Sequence, residues 1–475
     1  MKKIWTPQPR QAVMMSRKED EGLYGGAAGG GKSDYLIIEA LRQVDVPWYR
    51  ALLLRKIVKE LAQLTERAQM YYKAAYPSVK YNATTRTFTF PSGAKIVFDS
   101  LFRPADKLKY QGLQYEFIGF DEVTQFTYAE YDYMRSRNRA NGPGMRVYMR
   151  ATGNPGGIGH GWVKQRFVQA GVPNKTVWEK VTVMSPEGKE ITFWSSRVFV
   201  PSTVFDNKIL LNNDPEYLKR LATLNEADRN ALLYGDWNSF EGQVFTEFVN
   251  DPAHYRDRRW THVVEDFKIP SHWRIIRSLD WGFTKPFSVG WHAVDEFGRY
   301  YRIAEYYGCK RGQPNTGVML DADKVAKRIN EIEQNHPNLR GKRIAGVADP
   351  AIFAEQGSGN SIAALMGREG VFFDKGDNAR ISGKMQYHFR LAFDEEGRSM
   401  YYVFKNCKDY IRTIPNLVYS EKDVEDIDTD GEDHIYDESR YAIMQNAIAP
   451  RRNVMQDYQL ENPLDVDFKL TRYIR

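Results

Sequence analysis

Apolar runs and amphipathic stretches alternate along the first third of the chain. Residues 51–55, 117–120 and 145–151 are mainly apolar stretches of strand length, the last broken by Arg146 and Arg150, and Leu23 and Tyr24 end a shorter one. Runs without a polar face suit central strands of a parallel sheet covered on both sides by helices. Helices are expected from Asp34 through Leu41 and over 60–75. Alternating strands and helices predict a parallel α/β sheet over roughly 20–155. Within it, 87–90 and 95–98 flank Pro91-Ser92-Gly93, a hairpin signal.

The pattern changes after 156. Residues 156–265 are less periodic and rich in aromatics, with helical stretches over 207–234 that end at Gly235-Asp236-Trp237. Scattered proline, glycine and charge mark a linker between about 239 and 270. A second strand–helix pattern follows: strands over 273–279, 300–307 and 343–348, and a helix over 322–334. No internal repeat is visible. The expected organisation is a first α/β domain over 1–240 with a small lid subdomain from about 156, a linker over 241–270, and a second domain over 271–475. A length of 475 residues fits two or three cores better than one.

Composition narrows the classes. Hydrophobic residues make up 42% and charged residues 27%, the profile of a globular chain. No apolar run approaches the eighteen or so residues of a membrane span. Lys2 and Lys3 resemble the positive flank of a signal peptide, but no apolar core follows, so the protein is expected to stay where it is made. Cys309 and Cys407 stand far apart, which argues against a disulfide framework or a cysteine-rich zinc site. The net charge of +6 permits a nucleic-acid partner without demanding one.

The first chemistry-bearing motif is Gly26-Ala27-Ala28-Gly29-Gly30-Gly31-Lys32-Ser33, which fits G-x-x-x-x-G-K-[ST] after a strand and before a helix. Gly26, Gly29, Gly30 and Gly31 let backbone N–H groups turn toward phosphates, and the helix N-terminus adds partial positive charge. Lys32 would contact the β- and γ-phosphates of ATP, and Ser33 would ligate Mg²⁺. The apolar run 117–120 ends in Asp121-Glu122, placing Asp121 to hold the Mg²⁺ shell and Glu122 to act as general base on water. Thr152-Gly153-Asn154-Pro155 follows the next strand, where Asn154 could sense the γ-phosphate or belong to an ordinary turn. Gln11 could meet an adenine edge, although a surface glutamine is the default. Arg55, Arg135, Arg137 and Arg139 are candidates to stabilise the transition state; the last three, two apart, would not share a helix face.

The second half carries carboxylates at element ends. Asp280 closes one strand, Asp349 another, and Asp433 and Asp437 stand four apart, on one face if that segment is helical. Singly, each reads as a cap. Together they suit Mg²⁺ or Mn²⁺, and two such ions about 3.5–4 Å apart stabilise both oxygens of a phosphodiester displacement. Asp426-Ile427-Asp428-Thr429-Asp430-Gly431 with Asp437 at the twelfth position imitates a calcium loop, but Asp433 stands at the usual hydrophobic anchor and the twelfth residue is not Glu.

These motifs together resemble the large terminase subunit of tailed bacteriophages over nearly the whole length. Residues 24–33 are similar to its Walker A loop, Phe120-Asp121-Glu122 to its Walker B strand end, and residues 152–157 to its coupling motif. Residues 199–202, 206–207, 214–218 and 235–237 are similar to its connecting segment, and Asp280-Trp281-Gly282, Asp349-Pro350 and 433–441 to its RNase H-like nuclease signature. The resemblance implies an α/β chain: an N-terminal P-loop (RecA/ASCE-like) ATPase domain followed by an RNase H-like nuclease domain. It implies ATP-driven translocation of double-stranded DNA into a procapsid and cutting of concatemers. The ligands would be Asp280, Asp349 and Asp437, with Asp433 auxiliary and the choice between the last two open. Implied partners are DNA, a small terminase subunit and the portal protein of the procapsid, the chain forming a homo-oligomeric ring when docked there, without a membrane, in the host-cell cytoplasm. The alternatives are a helicase-nuclease, which should show an arginine-rich motif late in a second motor fold, and a calcium-binding structural protein.

Overall fold

The computed structural model describes residues 4–448, apart from 239, 241, 356–359, 421, 422 and 424. The part of the expected second domain from 449 onward, and three positions of the acidic run near 421–438, lie outside the described residues.

The first sheet contains nine strands: β1 (Glu21–Gly26), β2 (Arg50–Arg55), β3 (Lys80–Asn82), β4 (Thr87–Thr89), β5 (Lys95–Ser100), β6 (Phe117–Phe120), β7 (Tyr148–Gly153), β8 (Val177–Met184) and β9 (Glu190–Ser202). Their spatial order is β3-β4-β5-β2-β6-β7-β1-β9-β8. The six strands from β5 to β9 run parallel, and β3–β4 and β8 add antiparallel edges. β1, β6 and β7 are buried along their whole length; β6 is continuously apolar, whereas β1 and β7 also bury Glu21, Arg150 and Thr152. Helix Val58–Ala75 covers the sheet with Leu61, Leu64, Thr65, Ala68 and Tyr72, a single stripe at three- and four-residue spacing.

One strand, β7, stands between the glycine-loop strand β1 and the Asp-Glu strand β6. That insertion is the ASCE arrangement. It places the ends of β1, β6 and β7 side by side, where ligands of open α/β sheets bind.

The aromatic region after 156 supplies a long hairpin, β8–β9, that the sequence pattern did not announce. β9 pairs with β1 through residues 197–202, while the outer half of the hairpin exposes Trp178, Phe193 and Trp194. Neither periodicity nor burial marks such a strand.

The second sheet contains β10 (Val263–Val264), β11 (Arg274–Asp280), β12 (Ser288–Val294), β13 (Tyr300–Tyr307), β14 (Ile344–Ala348), β15 (Asp374–Lys375) and β16 (Tyr401–Phe404), in the order β10-β16-β13-β12-β11-β14-β15. β11, β12 and β13 form an antiparallel meander, and β14 and β15 continue parallel to β11. This is the RNase H-like order. A second motor fold, which a helicase-nuclease would need, is not what these residues form.

The stretch expected as a linker over 241–270 is part of this second unit. Val244, Phe245, Phe248, Val263 and Val264 belong to its core, and β10 pairs with β16. Polar and glycine punctuation suggested open chain, but those apolar residues bury surface that a free linker would leave wet.

Helix His434–Met444 packs across β11 and β12 and carries Glu438 into the core. The Glu438 carboxylate accepts from Arg302 Nη1 at 2.7 Å, Ser288 Oγ at 3.0 Å and the Ser278 hydroxyl, and meets His292 Nε2 at 3.1 Å. Gly290 makes room for it, since a Cβ there would stand 2.3 Å from Glu438 Oε1.

Candidate functional site

A cavity of about 580 Å³ opens at the ends of β1, β6 and β7. It is lined by Gly29, Gly30, Gly31, Lys32, Ser33, Arg55, Glu122, Asn154, Asn207 and Gln11, with Trp5, Arg67 and Tyr71 at its sides. Its size suits a nucleotide. The glycine loop is left-handed at Gly29 and Gly31, with φ of +72° and +71°, and Gly31 starts helix Lys32–Glu39. Gly26 is also required, because its φ is +132° and a Cβ would lie 2.4 Å from the Ser202 carbonyl.

Asp121 is fully buried and is the hub of the polar network. Ser33 Oγ lies 3.1 Å from its Oδ1, Thr152 Oγ1 donates to Oδ1 at 2.6 Å, and Arg55 Nε donates to Oδ2 at 3.0 Å. The motif ends from three strands thus meet on one carboxylate. Lys32 donates to the Ala27 carbonyl, folding back over its own loop. Burial pulls the Lys32 ammonium down, and the charges of Glu122 and Asp121 work against that pull.

Glu122 holds φ of +55°, a strained backbone for a non-glycine residue and common where a side chain is aimed at a site. Burial and the neighbouring Asp121 raise its carboxyl above the usual range, against Lys32, Arg55 and the Asn154 N–H. A raised carboxyl beside a phosphate loop has the properties of a general base.

Three expectations change in detail. Gln11 is buried, not a surface residue: its Nε2 donates to the Gly31 carbonyl at 2.7 Å and its Oε1 accepts from Gln8 N. It braces the loop while lining the cavity. Among the four arginines, Arg55 is the one in this network; Arg135 pairs with Asp132 and Glu21, and Arg137 lies over the Tyr133 ring. Asn207, placed only in the connecting segment by the sequence, acts on the glycine loop: its Nδ2 donates to the Gly29 carbonyl at 2.7 Å. Its position in the aromatic-rich region gave no local motif for that contact.

The second cluster lies at the ends of β11 and β14. Asp280 ends β11, and Asp349, just past β14, donates its N–H to the Leu279 carbonyl. Asp349 Oδ1 also accepts from Ala351 N at 2.9 Å, so it caps the following turn, the bland role weighed for it. Asp433 precedes helix His434–Met444 at its N-cap position without a side-chain cap hydrogen bond, and Asp437 sits in its first turn. Burial lifts the Asp280 carboxyl to about 6, opposed by the hydrogen bond and charge of His434 and reinforced by Asp437 and Asp349. Burial, then Asp437 and Asp280, lift Asp433 to about 8. Asp280 and Asp433 therefore feel the charge of the acids beside them.

His434 bridges the cluster to a neighbouring loop, with Nδ1 3.1 Å from Asp280 Oδ2 and Nε2 3.1 Å from Asn315 Oδ1. Asp437 is held by Arg380 at 3.2 Å and Arg440 at 3.0 Å. Among the described residues, no three His, Cys, Asp or Glu side chains close into a metal-ligating group. Carboxylates without a cation between them repel, and two arginines compete for Asp437. The donor chemistry still fits a hard divalent ion, being all carboxylate oxygen. The calcium-loop imitation does not take shape: Asp426 is bound by Arg380, Ile427 bridges to Tyr419, and Asp437 lies within the helix.

No helix of the described residues is long and apolar enough to cross a membrane. No curated protein matches the chain. Among solved structures, it is similar to the large terminase of a thermophilic bacteriophage in complex with ATP-gamma-S, at 19% identity over 92% of this chain and 98% of that one, TM-score 0.37. It is similar to the HK97 bacteriophage large terminase at 11% identity over 93% and 94%, TM-score 0.45. The P22 large terminase nuclease domain covers 43% of this chain and 92% of its own length, at 16% identity and TM-score 0.33. At those TM-scores the likenesses carry no weight beside the motifs and the strand order. The family model described as terminase large subunit, T4likevirus-type, N-terminal, matches residues 23–249, the segment that holds the glycine loop, Asp121, Glu122 and Asn154. Through those residues the first half of this chain, 23–249, matches the terminase large-subunit family.

Proposed function

We propose that this large terminase subunit, a component of phage DNA packaging, hydrolyses ATP in the first cavity and couples hydrolysis to translocation of double-stranded DNA into a procapsid. The acidic cluster of the second domain would cut concatemeric DNA. The observation that carries the reading is the meeting of Ser33, Thr152 and Arg55 on Asp121, beside Lys32 and Glu122 in one nucleotide-sized cavity.

In this reading Lys32 leaves the Ala27 carbonyl to hold the β- and γ-phosphates, with the loop N–H groups around them. Ser33 and Asp121 would hold Mg²⁺, which supplies charge neutralisation on the phosphates. Glu122 accepts a proton from the attacking water, and Arg55 stands ready to offset developing charge. Asn154, whose N–H reaches Glu122, is placed to register the γ-phosphate. In the second domain Asp280, Asp349, Asp437 and Asp433 would hold Mg²⁺ or Mn²⁺, which supplies stabilisation of the attacking and leaving oxygens. Such a cation would offset the burial and the neighbouring acid charges that lift Asp280 and Asp433. The proposed partners are DNA, a small terminase subunit and the portal of the procapsid, with ring assembly on that portal in the host-cell cytoplasm.

An ATPase assay beside a plasmid-cleavage assay with Mg²⁺, Mn²⁺ or Ca²⁺, on one preparation, tests both halves. Lys32→Ala should abolish ATP hydrolysis and leave metal-dependent cutting in place. Asp280→Ala should do the reverse. Normal ATP turnover in Lys32→Ala sinks the first assignment, and normal cutting in Asp280→Ala sinks the second.

A further inference from the structure

The loop that leaves β7 is fixed on its inner side to the residues after Glu122. Thr124 Oγ1 donates to the Asn154 carbonyl at 3.0 Å, and Gly159 N donates to the Thr124 carbonyl at 2.7 Å. On its outer side the loop meets His160, which is fully buried. Gly156 N donates to His160 Nδ1 at 2.9 Å, and His160 Nε2 lies 3.1 Å from the Trp237 carbonyl. A backbone N–H can only donate and a carbonyl can only accept. The ring is therefore neutral, with its proton on Nε2, and both nitrogens are committed. Burial, with the charge of Lys164 beside it, lowers its pKa to about 3, in keeping with that state.

The same ring is held between two aromatic groups. Trp237 stacks on it at 5.4 Å and Phe240 at 4.1 Å, each tilted by 28°. Trp237 and Phe240 begin the chain that crosses to the second domain. Just beyond them Gln243 Nε2 donates to the Pro415 carbonyl, and Val244 N to the Leu417 carbonyl, both at 2.9 Å.

We infer that His160 is a positioning residue that ties the loop after β7 to the crossing chain at 237–240, so that a nucleotide-driven shift of that loop is carried to the second domain. The inference rests on the ATPase reading of the first cavity. A shift at 154–156 must either break the Gly156–His160 hydrogen bond or pull on His160, which holds 237–240 by a second hydrogen bond and the ring stack. A histidine that merely filled core space would need neither a committed tautomer nor a partner on each of two separate segments.

Hydrogen–deuterium exchange on the full chain, with ATP-gamma-S against ADP, tests this in the wild type, in His160→Ala and in Phe240→Leu, which keeps both hydrogen bonds. In both variants ATP hydrolysis and the nucleotide-dependent exchange at 152–157 should persist. The nucleotide-dependent difference at 237–248 should shrink by about 2- to 30-fold, the range for removal of one coupling contact. An undiminished difference at 237–248 in the folded variants overturns the inference. If His160→Ala fails to fold, Phe240→Leu decides alone on the same readout. A wild type without ATP hydrolysis refutes the ATPase reading; a wild type that hydrolyses ATP but shows no difference at 237–248 refutes the coupling alone.

Discussion

Replacing Arg302 with methionine takes the cation away from a carboxylate that has no contact with water. Arg302 and Glu438 are both 0% exposed and 2.7 Å apart. Ser278, Ser288 and His292 would remain around Glu438, but none brings a fixed positive charge. Removing one partner of a buried pair costs about 3–5 kcal/mol, because the other charge stays buried without compensation. For a domain of this size each kcal/mol moves the midpoint by about 2–4 °C, so a fall of about 6–20 °C is expected. The chain has two cores and should not melt in one step. Calorimetry of the full chain should therefore show two transitions, and ATP-gamma-S, by raising the one it stabilises, identifies the ATPase half. Only the other transition should fall in Arg302→Met. The double variant Arg302→Met/Glu438→Gln removes the stranded Glu438 charge, leaving only Glu305, 3.5 Å from Arg302 in the native chain, and should recover at least half of the loss. A single-variant shift below about 2 °C, or a double variant whose loss equals the sum of both single losses, refutes the reasoning. Cleavage should fall with stability, since Glu438 anchors the helix that carries Asp437.

Two further outcomes concern the first domain. Glu122→Gln should keep ATP-gamma-S binding and lower ATP turnover by about 10²–10⁴-fold; a turnover loss explained wholly by weaker binding would remove Glu122 from the role of base. Glu21 is buried, which alone would raise its carboxyl, but Arg166 and Arg135 outweigh burial and hold it at about 2, below its ordinary 4.5. A depressed carboxyl adds stability that is fully present above pH 4.5 and is lost as pH falls from there toward 2, on the order of 3 kcal/mol in all. Glu21→Gln should flatten that acid limb in a melting-temperature profile, and an unchanged limb would assign it to other groups.

The motifs were legible because each combines a local pattern with a local chemical demand. The glycine loop needs a preceding strand and a following helix, and the pattern showed both. Strands such as β6 and β14 announced themselves by apolar runs. What the sequence could not show was lateral order. Nothing local says that β7 stands between β1 and β6, although that order brings Thr152 onto Asp121. β12 escaped notice because Gly290 and His292 interrupt its apolar run, and both are there for a contact with Glu438, more than 140 residues later. Gln11 was named for an adenine edge and Asn207 for the connecting segment, but that both hold loop carbonyls from distant segments follows from no spacing rule. The acids at 433 and 437 were visible as a helical pair, but the arginines that hold Asp437 come from another helix, as Arg380, and from its own next turn, as Arg440.

The stretch over 241–270 has a consequence for reach. As an open coil of about thirty residues it would let the two halves wander about 30 Å apart on average. With Val244 already in the second core and Phe240 stacked on His160 in the first, the leash is at most the few residues between them, which fully drawn out span about 14 Å. A short leash fixes the local concentration of one active centre around whatever the other holds. On the proposed function, DNA held by the first domain would then be met by the acidic cluster at a set distance along the duplex, by geometry and not by chance encounter.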